Sequence, residues 1–171
     1  MRYFIYCVSF MLVLFSSGVL AKQSVTLSSS DQDGMHIQSG IRFETNHWVL
    51  WTRLKAQAYN PNGFITNDFI PYCQVSYHLK RLATKAQTQG QLPMRLTLTG
   101  PEYGHVIQLT QPGRYFLTIH YISPEHNGFY RHIDKATGVA PWWHPFIHKY
   151  QMQVAANGQI VAITALQGVQ Q

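Results

Sequence analysis

Residues Ile70 to Leu79 read I-P-Y-C-Q-V-S-Y-H-L. From Cys73 onward the side chains alternate: Cys73, Val75, Tyr77 and Leu79 fall on one face of an extended chain, and Gln74, Ser76 and His78 fall on the other. This is the period of a strand with one face buried and one face wet. The same period returns in both directions along the chain. Arg114 to Ile122 sets Tyr115, Leu117, Ile119 and Tyr121 against Phe116, Thr118, His120 and Ile122. Upstream, a strand runs from Ile41 toward Ala58 with a bend near Asn46; Trp48, Leu50, Thr52 and Leu54 point one way, and His47, Val49, Trp51, Arg53 and Lys55 the other. Met94 to Thr99 and His105 to Gln111 are shorter strands, stopped by Gly100-Pro101 and Pro112-Gly113. His148 to Ala155 and Gln159 to Leu166 flank Asn157-Gly158, the strongest short hairpin signal. Lys22 to Gln38 is polar and Ser-rich, with Asp31, Asp33 and Gly34 as turn signals, and reads as beginning with a mobile tail, while Lys80 to Pro93 reads as a polar connection, with a helical turn over Lys80 to Gln87 as the alternative. With about seven short strands and no long helical pattern, the expectation is an all-β antiparallel β-sandwich, with a closed barrel as the structural runner-up.

A chain of 171 residues with 46% hydrophobic and 12% charged content suits one domain with a real core. Met1 to Ala21 carries Arg2, an apolar run from Tyr3 to Phe15, and Val19-Leu20-Ala21, the n-region, h-region and small-residue cleavage site of a secretory signal. The run falls short of the ~20 apolar residues that span a bilayer. Residues 1–21 are therefore expected to be cleaved, leaving residues 22–171 as a single exported domain. The 13 Lys and Arg outnumber the 7 Asp and Glu, but they never form a run of three, so no nucleic-acid footprint is present. Cleavage removes Cys7 and leaves Cys73 with no partner for an intramolecular disulfide; its place in the alternation marks it as a small buried hydrophobe.

Gly128 to Phe146, GFYRHIDKATGVAPWWHPF, breaks the pattern. It has no period of a strand or helix, yet it concentrates His132, Asp134, Trp142, Trp143 and His144, so it reads as a loop held in place by the burial of two large rings. Gly128, Arg131, His132, Asp134, Thr137-Gly138-Val139, Trp142-Trp143 and Pro145-Phe146 resemble the signature of the periplasmic high-affinity iron-transport family. Asn62-Gly63-Phe64, Ile70-Pro71-Tyr72, Gly100-Pro101-Glu102-Tyr103-Gly104 and Gly113-Arg114-Tyr115 match further pieces of that family in the same order. The resemblance implies an immunoglobulin-like β-sandwich in the periplasm, a homodimer, and an iron or copper ion handled on behalf of an inner-membrane iron permease.

Carried over residue by residue, the resemblance implies a metal site at His132, Glu102, His47 and Met94. His132 stands where the family has a ligand histidine, and Glu102 stands where it has another. By strict count the family methionine falls on Arg95, with Met94 one residue away on the opposite strand phase. The family's His-x-Glu pair falls on Val49 and Trp51, or, with two more residues allowed in the Tyr59 to Asn62 loop, on His47 and Val49. Tyr130 replaces a further family histidine. Imidazole with carboxylate suits iron or zinc, and imidazole with thioether suits copper, although any one of the nine histidines is by itself more often structural than a ligand. A metal-free binding or assembly module on the same scaffold is the alternative. No G-x-S-x-G, HExxH or paired-carboxylate pattern appears, so an enzyme is not expected.

Overall fold

The computed structural model describes residues 23–84 and 86–166; the expected leader, residues 1–21, lies outside them. Ten strands form: β1 (Ser24–Gln32), β2 (Met35–Glu44), β3 (His47–Ala56), β4 (Gln74–Arg81), β5 (Gln87–Gln91), β6 (Met94–Thr97), β7 (Gly100–Ile107), β8 (Gly113–Ile122), β9 (Phe146–Val154) and β10 (Ile160–Leu166). They build two antiparallel five-stranded sheets, ordered β1-β2-β3-β7-β6 and β10-β9-β8-β4-β5. The protein is an all-β antiparallel sandwich rather than a closed barrel, because the strands fall into two separate sheets. One 3₁₀ turn, Pro124–Asn127, precedes the long loop into β9.

The inward faces meet in one core. Met35, Ile37, Ile41, Leu50 and Leu54 of the first sheet pack with Val75, Leu79, Leu117, Ile119, Tyr150 and Met152 of the second, all buried. Cys73 is buried, and burial pushes its thiol up to about 12, which makes it inert. At the centre three hydroxyls link the layers: Ser39 and Thr52, opposite each other on β2 and β3, lie 3.0 and 3.2 Å from the Tyr121 hydroxyl of the other sheet. Tyr121→Phe removes one member while Ser39 and Thr52 keep each other at 2.9 Å and Thr52 keeps the Gln38 carbonyl at 3.2 Å, so it is expected to cost about 1 kcal/mol in urea unfolding with an unchanged m-value.

Four expectations need correction. The bend near Asn46 is a complete hairpin turn, with Thr45 and Asn46 both at positive φ, so the predicted strand is two antiparallel strands. No tail begins the described chain: from Ser24 onward β1 pairs along β2 with Leu27 buried beneath a serine-rich outer face, and the turn signalled at Asp33-Gly34 joins the two strands. The polar connection contains β5, an exposed edge strand held by its ladder to β4. Gly100-Pro101 begins β7 rather than ending a strand, because the turn lies just before it at Leu98-Thr99.

Candidate functional site

The outer face of the first sheet carries the main concentration of charge. β2 places Arg42 and Glu44 there, β3 places Trp51 and Arg53, β7 places Glu102, and β6 places Arg95 opposite Glu102. Trp51 lies between two glycines in register, Gly40 and Gly104. Both are required. A Cβ on Gly40 would sit 2.6 Å from Trp51 Cζ2, and one on Gly104 would sit 3.0 Å from Arg95 Nε. The Arg42 and Arg53 guanidiniums flank the indole at 5.5 and 5.1 Å from the ring centroid, so cation–π attraction helps hold the ring buried on an outward face.

Glu102 is wholly buried among these cations. Arg42 grips it with both terminal nitrogens, at 2.5 Å to Oε1 and 3.0 Å to Oε2; Arg53 Nη2 donates to Oε2 at 3.1 Å and Arg95 Nε to Oε1 at 2.9 Å. Each oxygen thus accepts two hydrogen bonds, and the four acceptor positions of a carboxylate are filled. Glu44 bridges the rim, accepting from Arg42 Nε and, at 3.3 Å, from Arg95 Nη2. Burial alone would raise the Glu102 pKa, but Arg42 and Arg95 hold it below the usual carboxylate range; Glu44 is lowered in the same way.

His132 sits elsewhere, in the Gly128 to Phe146 loop. Asp134 Oδ1 accepts from the Ala136 and Thr137 amides at 2.8 and 3.0 Å and from the Thr137 hydroxyl at 3.0 Å. With its proton on Asp134, Thr137 Oγ1 accepts from His132 Nε2 at 2.9 Å, which leaves the His132 Nδ1 lone pair free in the neutral ring. Gly138 is required where the loop doubles back, since a Cβ there would sit 2.4 Å from the Asp134 carbonyl oxygen. Asn62 fastens the loop to the body through the Ala140 and Pro141 carbonyls at 3.0 and 3.3 Å. Trp142 and Trp143 are buried edge to face, 5.3 Å apart, and Trp142 packs on Phe64 and Phe129, so burial of the pair anchors the loop.

The four residues expected to share a metal are not gathered within one chain. Glu102 is engaged by three arginines. His132 is exposed on its loop with Thr137 as partner. Met94 is on the opposite face of β6 from Arg95, 48% exposed, and lines a cleft of about 390 Å³ with Tyr72, Cys73 and Tyr103. His47 alone shares the charged face, as the exposed first residue of β3 opposite Glu44. Among the described residues no three His, Cys, Asp or Glu form a metal-binding group. The donor set around Glu102 does not fit a dication: its lone pairs are taken and the surrounding charge is positive. The strict count onto Arg95 therefore describes the strand, because β6 shows no bulge that would turn Met94 to the other face. Arg42, Glu44 and Arg53 escaped the sequence reading. Their signal was the i, i+2 spacing of Arg42 and Glu44 on one strand face, legible once Thr45-Asn46 is taken as a turn.

Comparison with known proteins places these features. The profile of the family described as Fe2+ transport protein matches residues 11–156. A UPF0423 protein of Brucella abortus (strain 2308) is 37% identical over 110 residues, 62% of this chain and 60% of that protein, so the match spans about three fifths of the relative's length. Copper-reconstituted P19 of Campylobacter jejuni superposes with a TM-score of 0.68 at 26% identity, covering 87% of this chain and 99% of that one. A copper-bound variant of FetP from uropathogenic Escherichia coli strain F11 gives a TM-score of 0.67 at 26% identity, covering 77% of this chain and 97% of the other.

Proposed function

The chain belongs to the Fe2+ transport protein family, and from that membership we propose that it is a non-enzymatic, periplasmic accessory protein of iron uptake, handling an iron or copper ion on the way to an inner-membrane permease. The observation that carries this reading is the superposition of the sandwich on copper-reconstituted P19 and copper-bound FetP, over 87% and 77% of this chain. The leader-like segment at residues 1–21 supports export, and intact-mass measurement on periplasmic protein should give a chain beginning near Lys22. No helix among the described residues is long and apolar enough to cross a membrane. A homodimer belongs to the same proposal: Leu96 and Leu98, 83% and 108% exposed at edge strand β6, offer apolar surface to a second copy. Light scattering at micromolar concentration should then give twice the chain mass.

Within this reading the ion meets His132, through its free Nδ1, rather than Glu102. Titration of chelator-stripped protein with copper, iron, manganese and zinc should show saturable binding of at least one ion. That binding should weaken in acid, because an imidazole must be neutral to coordinate. His132→Ala should lower affinity at least about tenfold, or 1.4 kcal/mol. If no ion binds, the metal-free module stands instead, and the observation favouring it is the saturated carboxylate of Glu102.

A further inference from the structure

The charged face of the first sheet has a surplus that its own residues do not satisfy. Three guanidiniums, Arg42, Arg53 and Arg95, face two carboxylates, Glu44 and Glu102, leaving one net positive charge. Two buried N–H groups in the patch, Arg53 Nε and Trp51 Nε1, have no acceptor. The arginines are unequally accessible: Arg95 is the most open at 30%, and Arg42 and Arg53 are at 16% and 17%. Glu102 is sealed beneath them, but Glu44 is 36% exposed and is held only by Arg42 and Arg95.

From this arrangement we propose that the outer face of the first sheet is a binding seat for a small polycarboxylate, with Glu44 as an internal occupant that an incoming carboxylate displaces. One carboxylate of the ligand takes the position of Glu44 between Arg42 Nε and Arg95 Nη2. A second reaches Arg53 at Nη1, the terminal nitrogen left over when Nη2 donates to Glu102 and Thr99. Planar guanidiniums match carboxylate oxygens in paired bonds, which a lysine patch would not do, and Trp51 beneath Arg42 and Arg53 holds both forks in place. The seat thus recognises an oxyanion at the position where the family resemblance implied a cation. It stands independently of His132, so it goes beyond the proposed function and does not depend on it.

The test uses the full mature chain, stripped of metal, with citrate as probe and acetate and chloride as controls at matched ionic strength. Calorimetry should show saturable citrate binding, and citrate should raise the melting temperature while equal carboxylate concentrations of acetate do not. Glu44→Gln should tighten citrate about tenfold by removing the internal competitor, and Arg95→Ala should weaken it by at least as much. Arg95→Lys, which keeps the charge beside Glu102 and so protects the fold, should recover only part of the loss. His132→Ala should leave citrate binding unchanged, which separates this seat from metal handling. Absence of saturable citrate binding to Glu44→Gln, or wild-type affinity in both Arg95 variants, overturns the proposal.

Discussion

Glu102→Ala is expected to lower the unfolding free energy by about 3–5 kcal/mol, the range for removing one partner from a buried ion-pair group. The loss leaves Arg42, Arg53 and Arg95 facing one another over Trp51 with their common acceptor gone. Urea unfolding followed by the tryptophan fluorescence reads it directly. Replacing Arg95 alone should cost less than replacing Glu102, because Arg95 is the most exposed of the three and Glu44 and Glu102 both keep Arg42. The pH dependence has a defined sign. Glu102 and Glu44 both have folded pKa values below the unfolded 4.5, so their contribution is complete above that pH and disappears as the pH falls through the folded values. Glu102→Gln should accordingly flatten the acid limb of the stability profile below about pH 4.5.

Trp142→Ala is the second large effect, about 3–5 kcal/mol for an almost fully buried indole. Its ring joins Phe64, Phe129 and Trp143, so truncation removes the packing that presses the Gly128 to Phe146 loop onto the body. Hydrogen exchange should localise the change. The Gly138 and Val139 amides, bonded to the Asp134 and His132 carbonyls at 2.8 and 2.9 Å, should lose protection before the β4 and β8 amides do. Asn62→Ala should act in the same direction more weakly, since it removes the bonds to the Ala140 and Pro141 carbonyls without opening the aromatic cluster.

The sandwich was legible wherever one face of a strand is buried and the other is wet, as in β4, β8 and β9, because alternation then reports burial directly. It was obscured at the edges. β5 is Gln-rich and exposed on both faces, so its strand character comes from the ladder to β4 and leaves no apolar period. The Thr45-Asn46 turn hid because a β-branched residue at positive φ is uncommon, and a continuous strand reads more naturally there. The loop anchor was legible in Trp142-Trp143, and Cys73 in its alternation.

The charged face was only half legible. Arg95 and Glu102 were both placed by count at positions of the implied site. The part played by Arg42, Arg53 and Glu44 depends on the register of β2 with β3 and of β3 with β7, which no local pattern encodes. Trp51 is a related case: its alternation points it outward, yet it is buried, because Gly40 on the neighbouring strand leaves room for the indole beneath two guanidiniums.

The central claim is that this member of the iron-transport family has the sandwich of its structural neighbours, while three arginines occupy the carboxylate at the strand position that the resemblance assigned to a metal. The most direct measurement is a pair of copper titrations on chelator-stripped protein, wild type against Glu102→Gln, run at pH 7 where both are folded. The account predicts superimposable isotherms, with the variant distinguished only by its lower melting temperature. A tenfold or greater loss of copper affinity in Glu102→Gln would contradict it.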